Sequence, residues 1–146
     1  MTPQQVFDKV WDHFITKKSG PGVSNFGSAS LEPVPCYQGP CAVGVLLSEE
    51  DRNALDSMNM PIGITITRIH MGFKPLSDAG CAVFLEGNKK DMGARLSEVL
   101  QSLQASHDTA YKETGSPEHF CANFKMRLKS IAARFELKLP EEEQHA

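Results

Sequence analysis

No stretch of this sequence approaches the roughly 18 apolar residues that a membrane span requires. Its longest uninterrupted apolar piece, Cys41–Leu47, is broken by Gly44. Behind Met1-Thr2-Pro3-Gln4-Gln5 there is no basic region leading into an apolar run, so no secretory signal is expected and the setting expected is cytoplasmic. Neither Gly-x-Gly-x-x-Gly nor a Walker-type Gly-Lys-Ser/Thr occurs, which removes the common glycine-rich phosphate cradles. Strong charge of either sign is also missing. Fifteen Lys+Arg stand against eighteen Asp+Glu, a net charge of -3 that keeps a protein soluble without marking a nucleic-acid binder. There is no internal repeat, and no low-complexity segment beyond the polar C-terminal tail.

What remains is one domain's worth of ordinary chain. Of its 146 residues, 40% are hydrophobic and 23% charged, enough apolar side chain for one core and too much for wholesale disorder. Thr2-Pro3 reads as a cap followed by proline in the first helical turn, and Val6, Phe7, Val10, Trp11 and Phe14 follow at helical spacing. Lys17 and Lys18 suit the negative end of that helix, and Gly20-Pro21-Gly22 is expected to end it. Ser48 with Glu49, Glu50 and Asp51 starts a second helix, with Leu55 and Met58 as its buried face. From Asp91 to about Ser106, Met92, Leu96, Val99, Leu100 and Leu103 trace an amphipathic helix. Ser116-Pro117-Glu118 opens another, carrying Phe120, Phe124, Leu128, Ile131 and Phe135, with Pro140 as its stop.

Two segments read as strands. Ile62-Gly63-Ile64-Thr65-Ile66-Thr67-Arg68-Ile69 alternates with a period of two and is β-branched, and Cys81-Ala82-Val83-Phe84-Leu85 is a short apolar run suited to pair with it. Cys41–Leu47 fits either a strand or a buried helix. The fold class expected is therefore α+β and mostly α, with three main amphipathic helices and a short two-stranded β element. Residues 1–139 form one globular domain with a long loop at 19–40, and 140–146 a flexible acidic tail. Trp11, Phe14, Leu96, Leu100, Phe124 and Ile131 are the expected core.

The densest motif is Cys36-Tyr37-Gln38-Gly39-Pro40-Cys41-Ala42-Val43-Gly44. Taken with Leu103-Gln104-Ala105-Ser106-His107-Asp108 and the final amphipathic helix, it resembles a set of small uncharacterised phage and bacterial proteins. Those carry Cys-x-Tyr-Arg-Gly-Pro…Cys-Ala-x-Gly and Leu-Gln-x-x-His-Asp segments. Gln38 stands where that group has arginine, and Cys41 follows Pro40 without the group's spacer. The resemblance implies a phage or mobile-element accessory protein and brings no activity with it.

Several constellations bear on chemistry. A thiolate nucleophile needs a base and a group to orient that base, which Cys41, His107 and Asp108 would supply. Gly39-Pro40-Cys41-Ala42 would set the thiol at a helix N-terminus, where its pKa falls. Against this, neighbouring helical side chains diverge by about 100°, so Asp108 is not expected to serve His107. His107 instead suits a cap on the helix end. A zinc site would draw on Cys36, Cys41, His119 and Cys121, although an i, i+2 pair on a helix points apart. Ser24, Asn25, Tyr37, Gln38 and Gly39 in the long loop would offer contacts to a small polar ligand. Lys125, Arg127, Lys129 and Arg134 form a basic helix face that Glu141–Glu143 can screen.

The function expected is that of a non-enzymatic binding protein that occupies or sequesters a host protein or small ligand. It needs no cofactor and involves neither membrane nor nucleic acid. A Cys41/His107 enzyme and a small zinc-binding protein are the alternatives.

Overall fold

The structure, a computed structural model, describes residues 1–21, 23–24, 34–35, 41–58, 62–85 and 95–144. Helix α1 (Pro3–Trp11) starts at a reciprocal cap: Gln5 N donates to Thr2 Oγ1 (3.1 Å) and Thr2 N to Gln5 Oε1 (2.9 Å). It runs on into one π-helical turn, Asp12–Thr16, and its buried stripe continues through Phe14 and Ile15. The helix closes at Lys18, which takes a left-handed φ of 54°, so Gly20-Pro21-Gly22 is not its terminator.

A short 3-10 turn (Gly44–Leu46) precedes α2 (Glu49–Met58), α3 (Ile62–His70) and α4 (Asp78–Val83). The two longest helices follow, α5 (Leu96–Glu113) and α6 (Pro117–Phe135), then one last turn, α7 (Glu141–Gln144). The short 114–116 link folds α6 back along α5, and this pair forms the most extensive contact among the described elements. Helix α1 lies against α5, its π-turn against α6, and α3 against α5. Trp11, Phe14, Leu96, Leu100, Phe124 and Ile131 all fall in the single buried cluster.

The α+β expectation does not hold: the described residues fold as helices. Both segments assigned to the β element are helical, 62–70 as α3 and 78–83 as α4. The alternation of isoleucine and threonine misled because α3 buries Thr65, Ile66 and Ile69, one side of a helix, against α5. Thr67 Oγ1 donates to Gly63 O (3.0 Å), absorbing the β-branched hydroxyl in the helix itself. Extended pairing among the described residues is a two-residue ladder, Val23 with Pro35 and Ser24 with Val34, which adds no layer to the core. Nor does Pro140 stop the last long helix. That helix ends at Phe135, with Glu136 left-handed at φ 56°. The chain then returns to α1, where the Gln4 side chain pairs with the Lys138 backbone through bonds of 2.8 and 3.0 Å.

Asp51 joins α2 to the start of α4. Its buried carboxylate accepts from Ser77 N (2.9 Å) and Ser77 Oγ (2.7 Å), while Ser77 Oγ caps Gly80 N (3.1 Å). Gly80 packs so tightly on this carboxylate that a Cβ there would overlap it. Burial pushes the Asp51 pKa up, but the hydrogen bonds from Ser77 and Ser48 outweigh it and hold the group below its ordinary value. A lowered folded pKa means stabilisation that is complete above the unfolded pKa and lost as pH falls through the folded one. Asp51→Ala is therefore expected to cost about 1–3 kcal/mol near neutral pH, a deficit that shrinks in acid. Urea unfolding across a pH series measures this, and a deficit that does not change with pH would contradict it.

Candidate functional site

Helix α5 turns Leu103, Gln104, His107, Ala110 and Tyr111 towards the core. His107 lies inside the helix, which runs six residues beyond it to Glu113, so it does not cap a helix end. Its ring is fully buried among Phe14 (5.5 Å between centroids), Phe120 (5.5 Å), Tyr111 (5.8 Å) and Phe124 (5.9 Å). These rings come from the π-turn, α5 and α6. Most meet edge-on or tilted, the arrangement their quadrupoles favour.

Within this apolar shell His107 Nδ1 lies 2.9 Å from Asp108 Oδ1. The expectation that neighbours on a helix cannot serve each other is thus corrected. Nδ1 is the ring nitrogen nearer the backbone, and from there it reaches a carboxylate whose Cβ points elsewhere.

Gln104, one turn earlier, completes the arrangement. Its Nε2 donates to the same Asp108 Oδ1 (3.0 Å), and its Oε1 accepts from Val43 N (3.1 Å). One buried amide therefore fastens the 41–46 segment to the His107–Asp108 pair. The two motifs that carry the resemblance, Cys41–Gly44 and Leu103–Asp108, meet here although some 60 residues separate them. Cys41 opens the turn, its carbonyl accepting from Val45 N (3.1 Å), and it is 2% exposed. Gln104 was visible in the motif only as a letter beside leucine. Its linking role has no signature in local sequence, because its partner is a backbone amide far along the chain.

The other candidates separate. Cys121 is half-buried and its thiol donates to Phe14 O (3.4 Å), while His119 is exposed, with Nδ1 2.9 Å from Ser116 Oγ. Among the described residues no group of three or more His, Cys, Asp or Glu could hold a metal ion. Cys36 lies outside the described residues, as do Asn25, Tyr37, Gln38 and Gly39. Ser24 is described only through its backbone pairing. The basic face of α6 is answered from within the chain. Lys125 (2.6 Å) and Lys129 (3.0 Å) pair with Glu143, Arg127 with Glu113, and Arg134 lies over the Phe135 ring. Lys125 and Lys129 hold the Glu143 carboxyl below its usual range.

Protein-family models, curated proteins and solved structures provide no match to this chain. Among the described residues no helix is long and apolar enough to cross a membrane.

Replacing Gln104 by leucine would leave Val43 N–H buried without its acceptor. We expect Gln104→Leu to cost about 1–3 kcal/mol, seen as a lower urea midpoint at an unchanged slope. An unaltered midpoint would show that the amide does not fasten the two segments.

Proposed function

We propose that this chain is a non-enzymatic binding protein, a cytoplasmic accessory factor of a phage or mobile element that occupies a host protein. The observation that carries this reading is burial: Cys41 is 2% and His107 0% exposed, so the sulfur and imidazole that catalysis would use close the core instead. The surface left to act has an apolar region. Ile64 (45% exposed) and Met71 (81%) lie seven positions apart along one side of α3 and the turn after it, and Phe73 (44%) follows. Contiguous exposed apolar surface marks interaction sites, and the seven-residue spacing sets Ile64 and Met71 on one side. The motif resemblance supports the accessory role.

A second reading, a Cys41/His107 enzyme, is favoured by one observation. Asp108 orients the His107 imidazole through Nδ1, as the third member of a nucleophilic triad does, and Gln104 holds the Cys41–Val43 segment beside that pair.

Two measurements separate the readings. Met71→Asp combined with Phe73→Asp should leave the melting temperature within a few degrees and abolish stoichiometric capture of a host protein; capture that survives both changes excludes this surface. Under the binding reading, iodoacetamide labels half-buried Cys121 before Cys41, and Cys41→Ala lowers stability by about 1–3 kcal/mol without loss of binding. Preferential alkylation of Cys41 near neutral pH would favour the enzyme.

A further inference from the structure

The apolar patch on α3 carries charge of one sign. From Ser57 to Ser77 the chain has no Asp or Glu, while Arg68 and Lys74 fall inside that run. Both residues are exposed, and among the described residues no carboxylate pairs with either. The α6 face differs, since Lys125, Arg127 and Lys129 all find carboxylates within the chain.

Helical spacing sets these cations among the apolar side chains. Ile64, Arg68 and Met71 stand at i, i+4 and i+7, one side of the helix. Met71 N still donates to Thr67 O (3.1 Å), so that spacing holds to the last of them. The chain then turns back in a fixed way. Gly72, left-handed at φ 92°, donates its N–H to Ile69 O (3.0 Å), and Phe73 N donates to Arg68 O (3.0 Å). These are the paired bonds of a Schellman closure, and they present Phe73 and Lys74 on backbone that is already ordered. A partner therefore meets a preformed surface and spends little on arranging it.

The mixture of side chains selects the partner. An apolar stripe with two unpaired cations is complemented by an apolar stripe bordered by carboxylates. Anionic membranes and nucleic acids fit it poorly, because lipid-binding segments gather roughly 4–8 Lys or Arg and this chain carries a net charge of -3. We infer that Ile64, Met71 and Phe73, with Arg68 and Lys74, form a docking surface for an acidic amphipathic helix of a partner protein, which rests on the binding reading and gives its partner a chemistry. The apolar residues of that helix pack on the three exposed side chains, and its Asp or Glu residues pair with the two cations.

The test uses the intact chain and two labelled synthetic amphipathic peptides. One has glutamates flanking a stripe of leucine and phenylalanine, and the other has lysines in their place. Fluorescence anisotropy should show the glutamate peptide bound about tenfold tighter, two exposed ion pairs gained against two repulsions, and rising salt should shrink that preference. Arg68→Glu combined with Lys74→Glu, which circular dichroism should show to be folded, should invert it. Equal binding of the two peptides, a preference that survives the charge reversal, or no binding of either overturns the acidic partner. Co-sedimentation with vesicles of anionic phospholipid, lost on charge reversal, overturns it in favour of a membrane. Host-protein capture that Met71→Asp with Phe73→Asp abolishes, but the charge reversal leaves intact, also overturns the acidic partner while the binding reading stands.

Discussion

One buried amide carries the arrangement of this molecule. Gln104 accepts from the Val43 amide and donates to Asp108, which in turn holds the His107 ring inside a shell of four aromatic side chains. Gln104 and His107 are costly to bury alone and less so when each has a partner, while the Asp108 side chain, 30% exposed, keeps its charge in contact with water. The aromatic rings shield the His107 end of the chain and pack on its fixed imidazole. The 41–46 segment has little regular structure of its own, so its place on α5 depends on this contact and on the burial of Cys41, Ala42, Val43, Leu46 and Leu47.

The same economy of charge distinguishes the rest of the surface. On α6 every cation of the basic face has a partner, Glu113, Glu143 or an aromatic ring, and that face is electrostatically finished. Arg52, half-buried on α2, forms no ion pair among the described residues, and its Nη1 donates instead to the Gly44 carbonyl at 3.5 Å.

The long helices were legible in the sequence because their signals are local and redundant. Thr2 and Ser116 cap, proline follows each, and the apolar stripes of α1, α5 and α6 run for several turns. The segments at 62–69 and 81–85 were misread for different reasons. The β-branched run at 62–69 reports a preference worth fractions of a kcal/mol per residue, whereas contact with α5 buries whole side chains, and the apolar run at 81–85 is too short for its period to tell strand from helix. Signals of the correct answer were present: Pro61 ahead of Ile62, and Ser77-Asp78 ahead of Cys81, both of the kind that opens helices. At the candidate site Cys41, His107 and Asp108 could be named, but the pairing of His107 with its neighbour could not. It depends on whether Nδ1 or Cδ2 of the ring turns towards Asp108, a rotamer set by the surrounding aromatics.

By itself the sequence determined the buried stripes of α1, α5 and α6 and the residues at the centre of the core, since periodicity and capping are properties of adjacent residues. The tertiary structure alone decided that the isoleucine-threonine segment is a helix, that Gln104 joins two distant motifs, and that His107 and Cys41 face inward. The reason is range. Hydrogen bonds within a turn are written in residues three or four apart, whereas a buried polar group is stable only against a partner that folding brings to it.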